Sequence, residues 1–280
     1  MQVILYNPLS NKGKNVKIAD RLAKQGQKKG LLVTTKNLLE IKDVKAFLSL
    51  YKKEDSIIII GGDGTLNRIV NQINGYEVLP ETFIYKAGTG NDFIRTVPIK
   101  NKLANIKPFI KDLPTLYVNG KVEKFINGAG VGLDGIVCYK VNKSKAAKNK
   151  SNYFRNAITS FFQYKPVKGT ITVDGKTWVE NKLWFATVMF SSYFGGGMKL
   201  APKKNRSEHN LELVIVKDIP KWLLVLVFPT IYFGWHPLFK KYVKFYRGND
   251  ITVEFEHPSY LQRDGEDEYP VSKYRVTMDK

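Results

Sequence analysis

Four consecutive isoleucines, Ile57–Ile60, run straight into Gly61-Gly62-Asp63-Gly64-Thr65, and this junction constrains the chain more than any other feature. An apolar run without alternation reads as a strand buried on both faces, the environment of an inner strand in a parallel sheet. The glycines that follow permit a tight turn and let backbone N–H groups approach an anion closely. A helix predicted over Leu66–Ile73 would aim its N-terminus at the same place, where anionic charge is favoured. Thr65 adds a hydroxyl. Asp63 adds a carboxylate that can orient a phosphate, or hold a metal ion directly or through water. The plainer reading of the same residues is a glycine-rich strand-to-helix turn with an aspartate cap.

The surrounding residues extend the pattern. Val3–Tyr6, Leu31–Thr35 and Thr82–Lys86 predict further strands. Asn15–Lys29, with Val16, Ala19, Leu22 and Ala23 at helical spacing, and Val44–Tyr51 predict helices. Strands alternating with helices argue for a parallel sheet with helices on both sides. The pattern changes after about Leu113. Asn119-Gly120, Asp174-Gly175 and Asp264-Gly265 are hairpin turns between apolar runs, and Trp184–Phe190, Leu211–Val216 and Ile251–Phe255 read as strands. The expectation is an α/β N-terminal domain with a parallel sheet over residues 1–118. A C-terminal, mostly antiparallel β-sandwich domain follows over residues 119–280.

The chain has 280 residues, 43% of them hydrophobic, enough for two cores. A single cysteine, Cys138, excludes a disulfide framework and fits a reducing, cytoplasmic compartment. Met1–Tyr6 has no basic leader and reads as a first strand rather than a signal peptide. The longest apolar stretch, Trp222–Trp235, contains Pro229 and Gly234 and falls short of the ~20 residues that span a bilayer.

The net charge of +20 predicts an anionic partner: nucleotide phosphates, an anionic membrane surface or nucleic acid. No nucleic-acid motif accompanies it, so a nucleic-acid partner is not expected. Gly135–Val173 contains no acidic residue and carries many lysines with Phe154, Phe161 and Phe162 among them; this is a headgroup-docking face or a solvated helix. Trp222–Trp235 is an interfacial helix or one that covers the β-rich domain. His209, His236 and His257 lack metal-ligand spacing, and no Ser–His or Cys–His pair supports nucleophilic hydrolysis.

Two more loops bear on the glycine turn. Gly88-Thr89-Gly90-Asn91-Asp92-Phe93 follows the next predicted strand, so neighbouring parallel strands would set Asp92 near Asp63, a pair suited to a Mg²⁺ nucleotide. Asn7-Pro8-Leu9-Ser10-Asn11-Lys12-Gly13-Lys14 ends the first strand at the same sheet edge, although by itself it reads equally as a solvated turn.

Together, Asn7-Pro8 with Ser10 and Gly13, GGDGTLN at 61–67 and GTGNDF at 88–93 resemble the diacylglycerol kinase catalytic domain, and more narrowly the bacterial soluble lipid kinases. Phe125–Asp134 (FINGAGVGLD), Gly195-Gly196-Gly197 with Ala201-Pro202, and Asp264-Gly265-Glu266 resemble later segments of that family. The resemblance implies transfer of the ATP γ-phosphate to a lipid hydroxyl, with diacylglycerol the default acceptor, at a peripherally occupied membrane. It implies ATP on Asn7, Pro8, Leu9, Ser10 and Asn11, on Gly62, Asp63, Gly64, Thr65, Leu66, Asn67 and Arg68, and on Thr89, with Thr35 beside the adenosine. It implies catalytic roles for Asp63, Asp92 and Glu266, the last as general base. It further implies a structural Mg²⁺ on Glu208 with carbonyls of Asn205 and Asn210, where this chain departs by carrying Glu208 for an aspartate and His209 for a glycine. Arg68 stands where relatives commonly carry a glutamate. A homodimer is compatible with this reading. The alternatives are a soluble small-molecule kinase such as NAD kinase, which shares the GGDGT loop, and a non-catalytic nucleotide- or lipid-binding relative.

Overall fold

In the computed structural model, which describes residues 1–73, 80–87, 90–144 and 150–278, the isoleucine run lies inside a five-stranded sheet. The chain divides into two units, Met1–Lys111 and Asp112–Lys280. The first contains β1 (Gln2–Tyr6), α1 (Asn15–Lys28), β2 (Val33–Asn37), α2 (Val44–Ser49), β3 (Ser56–Gly61), α3 (Asp63–Gln72), β4 (Glu81–Lys86), β5 (Leu103–Asn105) and α4 (Lys107–Ile110). The sheet order is β2-β1-β3-β4-β5. The first four strands are parallel and β5 is antiparallel to β4. Ile57, Ile58, Ile59 and Ile60 are at most 3% exposed. Burying each contributes about 1.5–3 kcal/mol relative to exposure.

This order fixes where a ligand can enter. The chain leaves β1 toward β2 on one side and leaves β3 toward β4 on the other, while β1 and β3 are hydrogen-bonded neighbours. Their carboxyl ends therefore flank a topological switch point, the crevice at which open α/β sheets bind ligands.

The second unit contains β6 (Thr115–Val118), β7 (Lys121–Lys124), β8 (Gly128–Gly132), α5 (Leu133–Lys143), α6 (Lys150–Gln163), β9 (Val167–Val173), β10 (Lys176–Met189), β11 (Leu211–Lys217), α7 (Lys221–Val227), β12 (Val243–Gly248), β13 (Asp250–Arg263) and β14 (Glu266–Thr277). All its strand pairings are antiparallel. The two long strands, β10 and β13, change partner midway: each pairs with β9 over its first half and with β8 over its second. That exchange folds one sheet into the layers of a sandwich. Helices α5, α6 and α7 close the core through Leu133, Val137, Phe161, Leu224 and Val227, packed with Trp184, Val214 and Val216 of the sheet. Among the described residues no helix is long and apolar enough to cross a membrane.

Several boundaries differ from the sequence expectation, each for a local reason. Helix α3 starts at Asp63 rather than Leu66, because Gly62 is extended and its carbonyl accepts the Leu66 N–H. The strand expected at Trp184–Phe190 is the second half of the longer β10, which starts at Lys176 and continues through a bulge between Glu180 and Leu183. Trp222–Trp235 is not one helix. The α-helix stops at Val227, a 3₁₀ turn spans Phe228–Tyr232 around Pro229, and Gly234 turns with φ of 72°. Strand β6 pairs with β14, so the division between units falls at Lys111/Asp112, ahead of 118/119.

Candidate functional site

In the first unit, the loops after β1, β3 and β4 are tied into one structure by side chains that the sequence alone does not single out. Asn15, at the start of α1, is fully buried. Its amide Nδ2 donates to the Asn7 carbonyl at 3.0 Å, the Ser10 hydroxyl at 2.9 Å and the Ile60 carbonyl at 3.3 Å. Asn7 Nδ2 donates across the switch point to Thr65 Oγ1 at 3.1 Å, and Asn7 Oδ1 accepts the Leu9 N–H at 3.0 Å. The Thr65 hydroxyl, having accepted from Asn7, keeps its own proton to donate. Asn11, Lys12 and Gly13 follow with φ of 55°, 55° and 76°. A left-handed lysine is costly and persists where surrounding bonds hold it, here those of Asn15.

The second loop carries the glycines. A Cβ on Gly61 would meet the Thr65 side chain at 2.6 Å, so glycine here allows the strand and the following helix to close on each other. A Cβ on Gly64 would meet nothing within 4 Å, and Gly64 is exposed, so the space beside the first turn of α3 is open. The N–H groups of that first turn have no partner within the helix, which makes them donors for an anion. Arg68 is exposed one turn along from Gly64 on the same helix. Leu66 and Asn67 are buried beneath it, Asn67 accepting from Asn71 Nδ2 at 3.0 Å through its carbonyl.

Asp63 joins this loop to the third. Its Oδ2 accepts the Asp92 N–H at 3.0 Å and its Oδ1 accepts the Phe93 N–H at 2.9 Å. Both oxygens are thus engaged by the backbone of the neighbouring loop. Asp92 is itself only 3% exposed. Gly88 and Thr89 lie outside the described residues. Thr35 is exposed on β2, paired in register with Ile4 of β1. Pro8 and Ser10 are half-buried, and Leu9 projects outward. A cavity of about 590 Å³ borders these loops through Asn11 and Asn91 and is lined by Arg21, Tyr85, Lys86 and Lys102. A larger one of about 740 Å³ runs along α1 and the start of β1, away from the loops.

In the second unit, the Asp264-Gly265-Glu266 turn is held on two sides. Asp264 accepts the N–H groups of Ile126 at 2.6 Å, Asn127 at 2.8 Å and Gly128 at 3.2 Å. Asn142, at the end of α5, donates to the Gly265 carbonyl at 3.0 Å and to Asp267 Oδ1 at 2.6 Å. Glu266, the first residue of β14, is exposed between these anchors. Beneath them, buried Arg206 donates to the Ile126 carbonyl and, at 2.8 Å, to Asn127 Oδ1. Asp134 lies deeper. Burial lifts its carboxyl to about 6 from the ordinary 3.8, against the pull of a hydrogen bond from the Thr187 hydroxyl at 2.7 Å. None of Asn15, Asn142, Lys204 and Arg206 stands in a pattern that marks it. An acid closing the apolar run Ala129–Leu133 was the one available signal for Asp134.

The Asn205–Asn210 stretch does not fit a divalent cation. The side chain of Lys204 is fully buried, and its ammonium donates to the carbonyls of Asn205 at 2.8 Å and Glu208 at 3.0 Å. The Glu208 carboxylate is 3.7 Å from that ammonium and 3.8 Å from Arg247. Of the two carbonyls expected to face a metal, that of Asn205 accepts from a lysine instead. Burial brings the Lys204 ammonium down to about 8, with Glu208 and Glu212 pulling upward. Among the described residues no three acidic, imidazole or thiol side chains converge.

Residues 2–122 match the family model of the diacylglycerol kinase catalytic domain, and residues 128–277 match that of the YegS C-terminal NAD kinase beta sandwich-like domain. A diacylglycerol kinase of Staphylococcus aureus (strain JH9) is 30% identical over 76% of this chain and 70% of its own. One of Bacillus subtilis (strain 168) is 26% identical over 94% and 88%. A solved diacylglycerol kinase from Bacillus anthracis str. Sterne shares the fold, with a TM-score of 0.65 at 18% identity over 99% of this chain and 93% of that one. With both of its units matched in order, the chain belongs to the diacylglycerol kinase family.

Proposed function

We propose that the chain transfers the γ-phosphate of ATP to a lipid hydroxyl, with diacylglycerol as acceptor and phosphatidic acid as product. The observation that supports this best is the Asn7–Thr65 hydrogen bond across the β1/β3 switch point, beside the open N-terminus of α3. Two strand ends and a helix N-terminus there offer backbone donors to a polyphosphate. Thr65 contributes a hydroxyl, Arg68 a cation one turn further along the same helix, and Ser10 and Asn11 the facing loop. Asp63 holds the third loop in place. Asp63 and Asp92 are the carboxylates of this loop pair that would hold, through water, a Mg²⁺ bound with the nucleotide, and that ion would neutralise phosphate charge.

Glu266 is the base in this reading. The lipid hydroxyl oxygen attacks the γ-phosphorus while Glu266 takes its proton. The bond from phosphorus to the bridging oxygen breaks and ADP departs. An exposed carboxylate on a turn anchored by Asp264 and Asn142 suits a group that must meet an incoming alcohol in a fixed place. The acceptor lies in a membrane, so the enzyme works at the cytoplasmic membrane surface. Incubation with labelled ATP and a total lipid extract tests the reading. Label in phosphatidic acid supports it, and label in a water-soluble product alone sinks it in favour of a small-molecule kinase.

A further inference from the structure

The exposed apolar side chains around α6 and α7 have no role in closing the core. Phe162 at the end of α6 is 58% exposed, and Trp222, Leu226, Phe233, Trp235 and Leu238 are 59–77% exposed, while Phe161, Leu224, Val227 and Ile231 fill the interior. The two stretches meet. Lys221 Nζ donates to the Phe162 carbonyl at 2.6 Å, and the rings of Phe161 and Phe154 pack on Phe228 at 5.0 and 5.6 Å. Beyond them, Phe233 and Trp235 stack at 5.0 Å, and the Trp235 N–H donates to the Thr230 carbonyl at 3.0 Å, folding the tail back on the helix. A gathered set of exposed aromatic and aliphatic side chains marks an interaction surface.

Charge selects the partner. No Asp or Glu occurs between Gly135 and Val173, or between Ile219 and Asn249, the two stretches that carry these side chains. Lys165, Lys240 and Lys241 are exposed beside them. A second copy of the chain, docked through the same face, would oppose one cationic rim with another. An anionic bilayer answers both features: tryptophan and phenylalanine favour the headgroup zone, and lysines meet lipid phosphates there. We propose that this face of the second unit docks on an anionic lipid surface, seating Trp222, Leu226, Phe233 and Trp235 among the headgroups. The proposal rests on the lipid-acceptor reading for its purpose, since a lipid acceptor lies in a membrane.

The test is co-sedimentation of the full chain with phosphatidylcholine vesicles, with and without about one third phosphatidylglycerol. We expect binding to the anionic vesicles, with a blue shift of tryptophan emission. The W222S/L226S/W235S and K240E/K241E variants should each bind at least about tenfold more weakly. Both should transfer phosphate to lipid in non-ionic detergent micelles within about twofold of wild type, because they leave the loops intact. Equal vesicle binding by wild type and both variants overturns the proposal. So does a wild-type dimer that these substitutions dissociate, with no vesicle binding. If wild type docks through these residues but phosphorylates no lipid in micelles, the docking stands and the lipid-kinase reading falls.

Discussion

Asp63 Oδ1 accepts the backbone N–H of Phe93 at 2.9 Å, which makes the aspartate of the glycine turn a clamp on the next loop. Its other oxygen holds the Asp92 N–H in the same way. Asparagine can replace only one of these acceptors and turns an NH₂ group toward the other N–H. We expect Asp63→Asn to cost about 1.5–3 kcal/mol in urea unfolding and to weaken ATP binding measured calorimetrically. Unchanged stability together with lost turnover would instead mark Asp63 as a purely chemical group.

Asn15 should matter as much as any residue that faces the ligand. Asn15→Leu leaves the carbonyls of Asn7 and Ile60 and the Ser10 hydroxyl without their shared donor. A loss of about 1–3 kcal/mol is expected, with ATP affinity falling in parallel because the β1 loop is released. Asn15→Asp keeps the size but reverses the hydrogen bonding, and should be no better.

Lys204 gives this chain a cation of its own beside Glu208. The wild-type melting temperature should not move with EDTA in the absence of nucleotide. Lys204→Met should lower stability by about 3 kcal/mol, since it strips a buried charge partner, and millimolar Mg²⁺ should raise the melting temperature of the variant more than that of wild type. A wild-type melting temperature that falls in EDTA and returns with Mg²⁺ would contradict this.

Asp134 makes stability depend on pH in an unusual direction. Its folded-state value of about 6 exceeds the ordinary 3.8. Between these values the unfolded chain releases a proton that the folded chain keeps. The contribution is therefore complete below about pH 4 and is lost as pH rises through 6, a change of about 3 kcal/mol. In Asp134→Asn that slope should disappear from urea unfolding measured between pH 4 and 7. Equal slopes in the two proteins would refute the assignment.

Much of this was legible in the sequence, and each part that was not has a physical reason. The isoleucine strand, the loops at its end and the three hairpins followed from local pattern, because burial on both faces and turn chemistry act over a few residues. The bonds that build the site act over long separations: Asp63 reaches loop residues near 92, and Asn15 reaches Ile60. No spacing rule connects such pairs. Lys204 was missed because a lysine is expected to be solvated, and only the fold reveals that carbonyls surround it. Strand β5 is three residues long and lacks a pattern to announce it.

Phosphoryl transfer to a lipid hydroxyl with Glu266 as base is open to direct measurement. The most direct measurement is labelled-phosphate transfer from ATP to diacylglycerol in detergent micelles, for wild type and Glu266→Gln, with ATP affinity determined in parallel. Wild type should give labelled phosphatidic acid, and the variant a kcat lower by about 10²–10⁴-fold with ATP affinity unchanged. Transfer by Glu266→Gln within a few fold of wild type would contradict it.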